Sequence, residues 1–164
     1  MSDAANIELD LDIQVAVEGH TLPSEEQIEQ WVLTALAGRV DKPCEMCVRI
    51  CDPSESQSLN NEYRGKDKPT NVLSFDIEAP DDLPVKLLGD LVICAEVVET
   101  EASEQGKPLF DHWTHMVLHG TLHLLGYDHI NDEDAQVMES LETELLASLN
   151  ISDPYTLQED TPHE

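Results

Sequence analysis

The sequence predicts an α+β, sandwich-like fold: a mixed sheet of about four strands covered by helices, with a metal site on a late buried helix and the turn after it. Three observations carry this. Apolar and polar residues alternate near the N-terminus, capped helical segments separate further β-tolerant runs, and three helical patterns follow one another late in the chain.

Residues 7–17 put Ile7, Leu9, Leu11, Ile13, Val15 and Val17 at every second position, the period of a strand with one buried face. Ser24 and Gln27 form a capping box, after which Ile28, Trp31, Val32, Ala35 and Leu36 recur at helical spacing until Gly38. Residues 44–51 are β-tolerant and apolar, a second strand, and Asp52-Pro53 then opens a helix that ends near Gly65. Residues 71–77 and 88–94 are strand-like runs able to pair as neighbours, with an acidic, proline-containing connection over residues 78–84. Helices are expected over residues 95–104, stopped by Gly106 and Pro108, and over residues 109–125, stopped by Gly126. A last helix is expected over residues 132–149, capped by Asn131, with Val137, Met138, Leu141 and Leu145 on one face. Residues 152–164 are acidic, contain prolines and lack periodicity, which reads as a loose tail. With no repeat and no linker, residues 1–164 are expected to form a single domain.

Apolar types make up 40% of the chain, enough to argue against global disorder. No run approaches the roughly 20 apolar residues of a membrane-spanning helix, and the acidic N-terminus is unlike a secretory signal. Four cysteines without an export signal favour free thiols in a reducing compartment, so a cytoplasmic protein with no membrane partner is expected. Cys44 and Cys47 form a C-x-x-C, but on a strand they point to opposite faces, and Cys51 and Cys94 fit a core better than a site. The formal net charge of −27 argues against sequence-independent grip on a phosphate backbone, and no DNA partner is expected.

Four of the seven histidines fall between His112 and His123, in a helix that is otherwise apolar nearly all round. Buried imidazoles must be paired, ligated or lining a cavity. His119 and His123 are four positions apart, one turn above the other, about 6 Å along the axis, and can chelate one ion. His115 lies about 12 Å of helix rise from His123, too far to share that ion. Gly126 can end the helix and turn the chain back, which makes His129 the third ligand. Three neutral nitrogens suit one zinc ion per chain and leave a fourth position open, the pattern of a catalytic site. Asp128 is the local candidate for an outer partner of a ligand histidine. The spacing follows the metzincin H-E-x-x-H-x-x-G-x-x-H pattern except that Gly120 stands where those peptidases carry their general-base glutamate. The cage is kept and the peptidase machinery is not.

Of only eight basic residues, Arg64, Lys66 and Lys68 fall within five positions. Arg64 offers a planar fork matched to phosphate oxygens, and a metal beside an arginine suggests phosphodiester chemistry with Arg64, Lys66 and Lys68 binding substrate.

The string from Leu59-Asn60 through Tyr63-Arg64-Gly65-Lys66-Asp67-Lys68-Pro69-Thr70-Asn71-Val72-Leu73-Ser74-Phe75, then Leu88-Gly89-Asp90-Leu91-Val92-Ile93 and the histidine string, resembles the YbeY family of bacterial endoribonucleases and rRNA maturation factors. That resemblance implies a zinc-dependent, single-strand-specific endoribonuclease acting in 16S rRNA 3′-end maturation and ribosome quality control. It implies single-stranded RNA and the 16S rRNA precursor as substrates, and the small ribosomal subunit and its assembly factors as partners. It implies His119, His123 and His129 as zinc ligands and Arg64 as the catalytic residue outside the cage. Two other readings stay open from the residues alone: a metallopeptidase-like hydrolase, favoured by the histidine spacing and opposed by Gly120, and a non-catalytic ribosome assembly factor with a structural zinc, favoured by the acidic charge.

Overall fold

The computed structural model describes residues 7–77, 79–80, 82–127 and 132–151. Four strands and five helices run in the order β1 (Leu9–Val15), α1 (Glu25–Leu36), β2 (Cys44–Cys51), α2 (Pro53–Arg64), β3 (Val72–Asp76), β4 (Lys86–Cys94), α3 (Ala95–Gln105), α4 (Leu109–Leu124) and α5 (Asp132–Ser148). This is the expected α+β architecture. The sheet order is β1-β2-β4-β3, with β1, β2 and β4 parallel and the edge strand β3 antiparallel to β4. Parallel neighbours need a crossover, and α1 supplies it between β1 and β2. The runs at 71–77 and 88–94 pair as expected, Val72 against Ile93 and Phe75 against Asp90.

The local signals act where the sequence puts them. Ser24 Oγ accepts from the Gln27 amide while the Gln27 side chain accepts from the Ser24 amide, completing the capping box of α1. Asp52 caps α2 through the Glu55 amide, Pro53 takes the first turn, and Gly65 ends the helix in the left-handed region at φ +70°.

Two layers cover the sheet. On one face Leu11, Ile13, Val48, Ile50, Leu91 and Ile93 pack against Ile28, Val32 and Leu36 of α1 and Trp113 and Val117 of α4. On the other, Leu73, Val92, Cys51 and Cys94 lie under Leu59 of α2. Cys44 and Cys47 point to opposite faces, and Cys44, Cys51 and Cys94 are buried free thiols. A register shift between Glu45 and Met46 slips the β2–β4 pairing past Leu88, so that both Leu88 and Leu91 reach the same buried face despite their odd spacing. Gly89, at φ +127°, makes this possible, since a Cβ there would collide with the Phe75 and Asp76 backbone.

α5 closes against α4 through Met138, Leu145 and Leu146 with Leu118 and Leu122. One expectation fails here: Val137 is 57% exposed, and the buried stripe is Met138, Glu142 and Leu146 at four-residue spacing, flanked by Leu145. At 100° per residue Val137 lies off the centre of that stripe, and a carboxylate occupies the position between Met138 and Leu146. The expected cap Asn131 and the tail over residues 152–164 lie outside the described residues. Among the described residues no helix is long and apolar enough to cross a membrane.

Candidate metal centre and basic segment

α4 is buried on nearly every side, with Trp113, Val117, Leu118 and Leu122 without solvent access, and its histidines face what neighbouring elements bring to them. His119 and His123 stand one turn apart with ring centroids 4.6 Å from each other and planes at 81°, near the C-terminal end. The His119 side chain keeps 22% exposure, so the pair borders solvent instead of sealing into the core. Beyond them the Gly126 amide donates to the His123 carbonyl and the Tyr127 amide to that of Leu122, and Gly126 turns the chain at φ +107°. That is the break the sequence expects before His129. His129 and Asp128 themselves lie outside the described residues, and among those described no three His, Cys, Asp or Glu side chains are grouped as a metal cage.

A residue not anticipated from the sequence supports this pair. Glu142 of α5 is fully buried; its Oε1 lies 2.9 Å from His115 Nε2 and its Oε2 2.6 Å from His119 Nδ1. Burial pushes the Glu142 carboxyl up, but the hydrogen bonds from His115 and His119 and their fields overturn this and hold it well below the usual carboxylate range. His115 is pushed down by burial, against the pull of Glu142. His115 is thus held by the Glu142 carboxylate. The pair of imidazoles suits a zinc ion: Nδ1 of His119 faces Glu142, which puts its Nε2 on the opposite edge of the ring, and His123 stands one turn away. A glutamate at the centre of an otherwise apolar helical stripe was the signal available in the sequence.

Gly120 has a steric reason as well as a chemical one. A Cβ at this position would lie 2.8 Å from Leu91 Cδ2 and 3.2 Å from Val72 Cγ2, and Ser74 Oγ donates to the Gly120 carbonyl at 3.1 Å. α4 rests on β3 and β4 here, so the position that holds the general base in metzincins faces the sheet.

His112, at the other end of the stripe, is held by Glu101 of α3 at 2.8 Å, and Lys107 Nζ lies 3.3 Å from its Nδ1. Glu101 also accepts from Asn71 Nδ2 at 3.1 and 3.2 Å. Burial raises the Glu101 carboxyl, yet the hydrogen bonds from His112 and Asn71 outweigh it and the group lies below its ordinary value. Asn71 ends the basic segment, so a hydrogen-bonded chain runs from that segment through Glu101 to α4.

The segment itself is a fastened loop. Ser56 Oγ donates to the Thr70 carbonyl and accepts from the Thr70 amide, Asn60 Nδ2 donates to the Lys68 carbonyl at 2.9 Å, and Gln57 Nε2 to Asp67 Oδ1 at 2.9 Å. Its backbone is tied while Arg64, Lys66 and Lys68 are exposed, and none of these three side chains has a hydrogen-bond or ion-pair partner among the described residues. Tyr63, 60% exposed, stands beside them with its ring edge-on to Phe75 at 5.1 Å.

Comparison with known proteins adds two findings. The family model described as Endoribonuclease YbeY matches residues 13–150. The solution structure of TM1509 from Thermotoga maritima aligns at 23% identity over 93% of this chain and 99% of that chain, with a TM-score of 0.48.

Proposed function

The chain belongs to the YbeY family of endoribonucleases, and from that premise we propose that it is a zinc-dependent, single-strand-specific endoribonuclease acting in 16S rRNA 3′-end maturation and ribosome quality control. Its place of action is the cytoplasm, with the small ribosomal subunit and its assembly factors as partners. The observation that carries the reading is the His119–His123 pair, one turn apart at a partly open helix end, with His119 backed by the buried Glu142.

His119, His123 and His129 would hold the ion, with Asp128 proposed as a further outer partner. Zinc bound there supplies a Lewis acid that activates water or polarises a phosphoryl oxygen. Arg64 stabilises charge that grows on the phosphate, and Lys66 and Lys68 hold the flanking backbone; their exposure, with no side-chain partner among the described residues, supports that role. Tyr63 offers an open ring face for a base of an unpaired strand, which favours single-stranded over duplex substrate. A peptidase reading is disfavoured by Gly120, whose direction faces the sheet.

The test is metal analysis of purified protein beside cleavage of single-stranded and duplex RNA by wild type, Arg64→Ala and His119→Ala. Arg64→Ala should retain zinc and lose about a hundredfold or more in cleavage; loss of zinc in that variant would show that Arg64 has a different role. Product ends separate the two routes, since a 2′,3′-cyclic phosphate marks attack by the RNA 2′-hydroxyl. Cleavage that survives removal of all three histidines would instead favour a non-catalytic assembly factor.

A further inference from the structure

Glu142 sits where packing alone calls for an apolar side chain. It is flanked one turn either side by Met138 and Leu146, and all three are buried to within 1% of complete. A carboxylate in such a seam is costly and gives a fold no advantage over a hydrocarbon of the same size. What it does there follows from its two bonds, Oε1 to His115 Nε2 at 2.9 Å and Oε2 to His119 Nδ1 at 2.6 Å. A carboxylate only accepts, so each imidazole must turn an N–H toward it, Nε2–H from His115 and Nδ1–H from His119. A neutral imidazole carries one such proton. The neutral form of His119 that fits this bond is the one with its lone pair on Nε2.

We propose that Glu142, steadied from behind by His115, is the positioning residue of the metal centre: it selects the Nδ1–H tautomer of His119 and fixes the ring so that Nε2 faces the ion. His115, third in the stripe and out of reach of the ion, then serves the site by holding the carboxylate in register. This inference rests on the reading of His119 as a zinc ligand. Because α5 brings the carboxylate and α4 the imidazoles, it also links metal affinity to the docking of these two helices.

Glu142→Gln keeps the shape but offers one acceptor and one donor, so it cannot accept from both rings. Zinc affinity, read by competition with a chromophoric chelator, should fall about 10–100-fold, the usual effect of removing an outer-layer partner. Long-range 1H–15N spectra of metal-free wild type with labelled histidine, at about pH 8.5 where imidazoles are neutral, should show His119 as the Nδ1–H tautomer. The same spectra of Glu142→Gln should show one of the two rings changing tautomer. The Nε2–H form of His119 in wild type overturns the proposal even if Glu142→Gln fails to fold, and so does a folded Glu142→Gln with unchanged zinc affinity. Wild type that binds no zinc, while His119 shows the Nδ1–H form, would sink the metal reading and leave the role of Glu142 in setting the tautomer standing.

Discussion

Replacing Gly120 by alanine sets two effects of known size against each other. Alanine is favoured over glycine inside a helix by about 1 kcal/mol. Against this, the new Cβ would meet Leu91 Cδ2 at 2.8 Å and Cδ1 at 3.2 Å, and Val72 Cγ2 at 3.2 Å. Carbon atoms rest at about 3.5–4.0 Å, so all three contacts are too close. Leu91 is without solvent access and Val72 is 7% exposed, so neither side chain can turn out into solvent and each would have to shift against packed neighbours. The remaining escape is for α4 to lift from the sheet, which stretches the Ser74 to Gly120 hydrogen bond. Overpacking of this kind costs about 1–3 kcal/mol, and the balance is a loss of about 0–2 kcal/mol. Urea unfolding should show a lower midpoint with an unchanged slope, and a Tm reduced by about 2–4 °C for each kcal/mol lost. A midpoint raised by the full helix-propensity gain would refute the reasoning, because it would mean that the seam between α4 and the sheet has slack. Gly120→Glu, which restores the metzincin string, should lose more than about 4 kcal/mol or fail to fold, and should not gain peptidase activity.

Three further outcomes are expected. The Glu101 carboxyl lies below its unfolded value of about 4.3, so its stabilising contribution is present above that pH and lost as pH falls through the folded value; urea midpoints between neutral and acid pH should fall less steeply in Glu101→Gln than in wild type, and equal slopes would remove Glu101 from the account. Burial pushes the Cys51 thiol up to about 12 and raises those of Cys44 and Cys94; with Cys47 partly exposed, a disulfide reagent should titrate one thiol in the native protein and all four in denaturant, and fast native reaction of a second thiol would contradict the burial described. Tyr63→Ala should weaken binding of an unpaired RNA by the worth of one stacked base, about 1–3 kcal/mol, with Tyr63→Phe near wild type; equal affinity in the alanine variant would exclude a stacking role.

Most of the fold was legible because its signals are local. The alternation from Leu9 to Ile13, the Ser24–Gln27 box, Asp52-Pro53 and the glycines at 65, 106 and 126 each act within one turn or one strand, and the structure uses each of them, whereas Val15, expected on the buried face, is 55% exposed. Expected element ends moved by a residue or two, as at residues 7–17 against Leu9–Val15. Parity around Leu88 was not legible: the bulge that flips it depends on how β4 aligns with β2, a non-local choice. Val137 was misplaced for a related reason, since a helix pattern shows which residues are apolar but not the direction from which the neighbouring helix arrives.

The sequence by itself determined which elements form, that His119 and His123 share a helix face and that His115 lies about two turns of helix from His123, because helix pitch sets those distances wherever the helix lies. It also marked Arg64, Lys66 and Lys68 as an exception in an acidic chain. Only the tertiary structure decided that Glu142, 23 residues beyond His119, carries that ring's Nδ1 bond, that Glu101 ties Asn71 to His112, and that Gly120 is a contact surface for the sheet. The physical reason is the same in each case. A hydrogen bond or a close contact between elements depends on docking angle and register, which are settled by burying the whole core at once and leave no trace in the spacing of residues along one helix.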